Sequence, residues 1–204
     1  MIRVNADDIN DESYWNEVFE KEFATDKQRL DNERLDFIDR NIKKWYVGHN
    51  NTYPRFADFG CGEGELLRWL YYKHPRLAVF GVDISNWAIQ EVTEYAPPHH
   101  KYMVADLNKN VPFSADSMDI VFCGETLEHL LDPNVVITQL ITKVAKGGYF
   151  IFSVPNKHYN PTPEHNFIFN CWDIFKIAFD NNMVVEDFDV VAGGISIIAC
   201  LKKE

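Results

Sequence analysis

Apolar residues change their period along this chain, and the change divides it in two. From Asp11 to Tyr46, Trp15, Val18, Phe19 and Phe23 recur at helical spacing, and Leu30, Arg34, Phe37, Ile38, Ile42 and Trp45 continue the pattern among charges. Residues 48–54 (GHNNTYP) read as a loop by composition. Beyond it, short apolar runs at Arg55–Phe59, Ala78–Val82, Tyr102–Ala105, Asp119–Cys123 and Tyr149–Val154 alternate with helical patterns, the signature of a β/α domain with a parallel sheet. Asp132 and Pro133 suit the cap and first turn of one such helix. That helix is expected to turn Val136, Leu140 and Val144 inward and to stop at Gly147 and Gly148. Near the end, Val184–Val191 and Ile195–Lys202 flank Ala192-Gly193-Gly194 and predict a hairpin. The expected organisation is a helical arm or lid over residues 1–50 and an α/β domain over 51–204.

Charge narrows the partners. The 204 residues are 46% apolar, sufficient for one sizeable core, and carry a net charge of −11. That balance disfavours nucleic acid, which requires clustered Lys and Arg; the only adjacent pairs here are Lys43-Lys44 and Lys202-Lys203. The four cysteines form no CxxC pair, the amino terminus MIRVNADDINDE lacks an apolar signal core, and no apolar run approaches about 18 residues. A cytoplasmic protein with reduced thiols and no membrane span is expected.

The candidate chemistry begins at DFGCGEG, Asp58 to Gly64, which follows a strand and opens the helix beginning near Glu65. A dinucleotide fingerprint requires glycine or alanine where Glu65 stands, and so fails. Asp58, Glu63 and Glu65 would repel a pyrophosphate at this helix start but favour an ammonium or a sulfonium. Asp83 ends the next strand (GVDIS), where an acid can grip both ribose hydroxyls, and Asp106 ends the one after (VADLN), where a carboxylate can accept from an adenine amino group.

With these motifs, VPFSADSMDIVFCGETLEHL and KGGYFIFSVPN included, the chain resembles class I S-adenosylmethionine-dependent methyltransferases, in the branch with the ubiquinone-biosynthesis O-methyltransferases. The matching run covers most of Arg55 to Val154. The resemblance implies a Rossmann-like, seven-stranded, mostly parallel sheet flanked by helices, with the last hairpin inserting one antiparallel strand. It implies S-adenosylmethionine as methyl donor. Asp58 and the Gly60-Cys61-Gly62 backbone would take the methionine end, Asp83 the ribose and Ile84 the adenine face. Asp106 and Leu107 would take the adenine edge, and Cys123 and Gly124 the floor below the sulfonium.

GETLEHL, residues 124–130, places Glu125, Glu128 and His129 at i, i+3 and i+4, one face of a helix. Such a turn can simply end the fourth strand, its acid and histidine bonding locally. With His165 downstream it also resembles the metal site of small-RNA 2′-O-methyltransferases, implying Mg²⁺ or Mn²⁺ on Glu125, Glu128, His129 and His165. Without a metal, His129 or His165 would serve as general base. His99-His100 reads as a solvated loop, His158 and Tyr159 as substrate contacts or loop filler, and Tyr14 and Trp15 as core packing or a lid. The expected reaction moves a methyl group to a small-molecule acceptor, an oxygen nucleophile. An RNA 2′-O-methyltransferase and a non-catalytic donor-binding subunit stand as alternatives, and a homodimer is left open.

Overall fold

Apolar residues run almost continuously along each central strand, so the sheet buries both faces. In the strand Met118–Gly124, Ile120 and Phe122 enter one core while Val121 and Cys123 enter the other. The computed structural model describes residues 1–4, 9–23, 31–49, 53–156 and 162–204.

In chain order the elements are β1 (Ile2–Arg3), α1 (Glu12–Phe23), α2 (Asn32–Gly48), β2 (Arg55–Phe59), α3 (Glu65–Lys73), β3 (Ala78–Asp83), α4 (Asn86–Glu94), β4 (Lys101–Val104) and β5 (Met118–Gly124). A 3₁₀ turn (Leu127–His129) follows, then α5 (Pro133–Lys143), β6 (Val144–Pro155), β7 (Phe167–Ile168), α6 (Cys171–Asp180), β8 (Met183–Val191) and β9 (Ser196–Lys203). The main sheet is seven-stranded in the order β4-β3-β2-β5-β6-β9-β8, and only the pairings of β9 are antiparallel. The chain reverses its winding between β2 and β5, where a parallel sheet opens its crevice. β1 and β7 form a separate two-stranded pair.

Helix α2 is built into this body. Asp31 caps it by accepting from the Arg34 N–H at 2.9 Å, and Phe37, Ile38, Ile42 and Trp45 are wholly buried against the sheet. Its stripe therefore joins residues 32–48, expected in the arm, to the main core. The single helical stretch expected from Asp11 to Tyr46 is two helices, with residues 24–30 outside the described set. Val144 is buried in the core as expected but stands outside the helix. It leaves α5 with φ −66° and ψ 127° and pairs with Met118 as the first residue of β6, because extended pairing suits a β-branched side chain at the sheet edge of the turn. The glycines expected to stop the helix lie inside β6 instead, where the register shifts and Gly147 takes φ +78°.

Candidate active site

The carboxyl ends of β2, β3, β4 and β5 surround a cavity of about 600 Å³. At its head the glycine loop turns through Gly60 (φ +85°), Gly62 (φ +49°) and Gly64 (φ +72°). Position 60 must be glycine for a second reason: a Cβ there would lie 2.1 Å from Thr126 Oγ1. The loop is tied to β3, since Gly60 and Cys61 donate N–H to the Val82 carbonyl at 2.7 and 3.0 Å. Gly62 N–H reaches Asp83 Oδ2 at 2.8 Å, and the other Asp83 oxygen accepts from Ser85 N–H at 2.9 Å. Asp83 is thereby fixed in position in the wall of the cavity it lines.

Asp58 is the anomaly here. It is 3% exposed, lines the cavity, and its Oδ1 has no hydrogen-bond partner among the described residues. Burial, then the neighbouring Asp83 charge, push its carboxyl well above the usual range. Ile84, Asp106 and Leu107 line the far side, Asp106 being held by Asn108 N–H at 2.9 Å and Lys109 Nζ at 3.0 Å. Cys61 also lines the cavity, its thiol pushed up by burial and by Asp83 and Asp58. On β5, Phe122 and Gly124 face the cavity, whereas Cys123 is wholly buried in the opposite core.

The other end of the cavity is made by the turn after β5. Glu125 adopts φ +47°, which breaks the helical phase expected across GETLEHL. Its carboxylate consequently turns to Arg34 Nη2 at 3.3 Å and accepts from Ser196 Oγ at 3.4 Å. Arg34 also binds Asp31 at 3.2 Å and the Ser196 hydroxyl. Burial raises the Glu125 carboxyl, with Arg34 opposing. Glu128 is 1% exposed, and neither carboxylate oxygen has a hydrogen-bond donor among the described residues. Burial, followed by the nearby Glu125, pushes it well above the carboxylate range.

His129 lines the cavity beside Glu128, Nε2 lying 3.7 Å from Oε1. Its Nδ1 is 3.0 Å from the Glu164 carbonyl, which can only accept, so the ring carries its proton on Nδ1 and presents Nε2 as a lone pair. Burial lowers its pKa to about 4. The His165 ring stands 5.0 Å from His129, and Trp15 packs edge-on to His129 at 4.9 Å. Ligand atoms of Glu128, His129 and His165 all lie within 4.8 Å of one another; Glu125 stands outside that group.

Several contributors escaped the sequence. Arg34 fell within a helical stripe, and nothing there announced a guanidinium reaching the cavity. Asn166 clamps the turn: its N–H donates to the Glu128 carbonyl at 2.7 Å and its side-chain amide to that of His129 at 3.0 Å. Trp15 and Phe19 do line the cavity, with Tyr14 edge-on to Trp15 at 5.2 Å. His100, expected in a solvated loop, is buried against Tyr71 and Tyr102, and burial, then the neighbouring His99, lowers its pKa to about 4. His158 and Tyr159 lie outside the described residues.

A family model described as a methyltransferase domain matches residues 23–182. The chain belongs to this methyltransferase family. Among relatives of the methyltransferase, the ubiquinone biosynthesis O-methyltransferase of Chromobacterium violaceum is 30% identical over 131 residues, covering 61% of this chain and 51% of that protein. The trans-aconitate 2-methyltransferase of Paracidovorax citrulli is 22% identical over 148 residues, covering 72% and 53%. The chain thus spans about half the length of these curated relatives. Magnesium protoporphyrin IX methyltransferase from Synechocystis PCC 6803, solved with bound SAH, shares the fold at a TM-score of 0.71 and 19% identity, covering 95% of this chain and 98% of that one. The class I resemblance and the Rossmann-like sheet are borne out.

Proposed function

We propose that the chain transfers the methyl group of S-adenosylmethionine to a hydroxyl oxygen of a small-molecule acceptor in the cytoplasm. The observation that carries this reading is the buried Asp58 oxygen without a donor at the head of the sheet. An α-ammonium supplies the missing donor and cancels the charge, whereas a diphosphate would meet Asp58 and Asp83 at close range. Around it, Asp83 would accept from the ribose hydroxyls, Ile84 would cover the adenine, and Asp106 and Leu107 would hold its edge. Gly60, Cys61 and Gly62 would line the methionine end, and Gly124 the space below the sulfonium.

The donor supplies an electrophilic methyl group on a sulfonium. As the acceptor oxygen attacks in line, the O–C bond forms, the S–C bond breaks and its electron pair returns to sulfur. The hydroxyl proton passes to His129 Nε2, which the Glu164 carbonyl keeps in the accepting tautomer. His165 and Trp15 both pack edge-on against the imidazole ring. The free thiols Cys61, Cys123, Cys171 and Cys200 suit a reducing compartment.

A second reading rests on Glu128. Its two oxygens without donors, with His129 and His165, make a set that fits a divalent cation such as Mn²⁺ or Mg²⁺. Glu125 would join it only by leaving Arg34. A bound cation would fix an acceptor hydroxyl and lower its pKa. Because both readings use His129 Nε2, one excludes the other.

Calorimetry with S-adenosylhomocysteine and NAD⁺, followed by a screen of neutral hydroxylated acceptors with labelled donor in the presence and absence of chelator, tests both. Micromolar binding of the first ligand alone, with chelator-insensitive O-methylation, is expected. Binding of NAD⁺ alone would overturn the assignment. Binding without transfer to any acceptor would favour a donor-binding subunit, and transfer to RNA with retention on RNA at low salt would favour a 2′-O-methyltransferase.

A further inference from the structure

Helix α6 is apolar on two sides. Ile174, Ile177 and Ala178 enter the core, while Trp172, Phe175 and Phe179 face outward at 81%, 48% and 83% exposure. A helix apolar on both sides is one suited to burial on both. The outward three recur at i, i+3 and i+7, the narrow seam that packs against a single further helix. They form a continuous ridge: Trp172 and Phe175 rings lie 6.2 Å apart, and Phe175 lies 6.2 Å from Phe188 on β8, where Val190 extends the apolar surface.

We propose that this ridge is the contact face of a homodimer in which α6 packs antiparallel against α6 of a second copy. Area supports it. Three aromatic side chains at these exposures offer roughly 450 Å² per copy, close to the apolar share of the ~800 Å² that each partner buries in a standard interface. The spacing is also self-complementary. About a two-fold axis near Phe175, Trp172 of one copy meets Phe179 of the other, and Lys176 of each lies over Phe175 of its mate. Sheet extension is the competing route, and β8 is blunted against it. The N–H groups of Phe188 and Val190 donate to the side chains of Asp187 and Asp189, each at 2.9 Å. A lipid surface is disfavoured by the net charge of −11.

None of the ridge residues lines the donor cavity, so association can be broken without touching it. Sedimentation equilibrium across a concentration series should show a monomer–dimer equilibrium that tightens at high salt, as self-repulsion is screened. The triple variant Trp172→Ser, Phe175→Ser, Phe179→Ser should weaken it at least tenfold while leaving S-adenosylhomocysteine affinity, and the melting temperature at dilutions where both proteins are monomeric, at wild-type values. A wild-type monomer throughout, an undiminished dimer in the triple variant, or open-ended oligomers would each overturn the proposal. Co-sedimentation of a monomer with phosphatidylcholine vesicles would reassign the ridge to lipid.

Discussion

Two buried carboxyls, Asp58 with one oxygen and Glu128 with both lacking a donor among the described residues, set the chemistry of this cavity at the scale of single residues. Each has its pKa raised by burial, so the stability it contributes is complete below the unfolded carboxylate value and is lost as pH rises through the folded one. Glu128→Gln should therefore raise the melting temperature in chelator, and its advantage over wild type should widen from pH 5 to pH 8. If Mn²⁺ occupies the site, the sign reverses in its presence, because only wild type gains binding energy; an advantage unchanged by both pH and Mn²⁺ would contradict this account of Glu128. Asp58→Asn should likewise not destabilise, yet should weaken S-adenosylhomocysteine binding by roughly 10- to 100-fold, the range of a charge-assisted hydrogen bond in a dry site. Unaltered affinity in calorimetry would place the ammonium elsewhere. His129 runs the other way. Its pKa falls from about 6.5 unfolded to about 4 folded, so it costs stability as pH drops through that window, by about 3 kcal/mol in total. Urea titrations of wild type and His129→Asn should diverge between pH 6.5 and 4, with wild type losing more.

Among the elements, the glycine loop and the turn after β5 form a single unit, because Thr126 occupies the volume a Cβ at position 60 would need. Gly60→Ala should cost more than ~3 kcal/mol, combining overpacking with a left-handed alanine. Thr126→Gly in that background should return the overpacking part and leave about 1–2 kcal/mol. Strict additivity in the double-mutant cycle would refute the contact. This unit marks where the sequence stopped being legible. The strands and the closing hairpin could be read because their apolar runs are buried on both faces of a parallel sheet, and patterning alone conveys that. DFGCGEG, Asp83 and Asp106 could be read because strand ends converge on the switch point, whatever the loops do. GETLEHL could not be phased. One residue at positive φ, Glu125, diverts a side chain that helical spacing would have set beside Glu128, and no local signal marks a glutamate for that conformation. Arg34 was hidden for the opposite reason: its spacing correctly turned it inward, but only tertiary structure brings Glu125 and Ser196 to meet it.

The whole molecule joins its amino-terminal helices to the cavity by two unequal attachments. Helix α2 is anchored in the core, whereas α1 has one fully buried core side chain among those described, Phe19, and roofs the cavity with Trp15. A 12-residue helix is not stable by itself, so its seat must come from tertiary contacts. Asn16 is the polar part of that seat: its Oδ1 accepts from Ser85 Oγ at 2.7 Å and from Trp87 N–H at 3.0 Å. Ser85 N–H in turn holds Asp83, which holds the glycine loop through Gly62. The proposed ribose grip of Asp83 and the roof seated by Asn16 are thus linked through one serine. Asn16→Ala removes two hydrogen bonds worth about 1 kcal/mol each, which corresponds to roughly a 30-fold faster dissociation of S-adenosylhomocysteine. The association rate and the global unfolding midpoint should change little, since the sheet and α2 keep their core. Stopped-flow tryptophan fluorescence measures both rates, and Trp15 and Trp87 stand on the two sides of the seam. An unchanged dissociation rate with a lowered unfolding midpoint would make α1 a structural brace that does not retain the ligand.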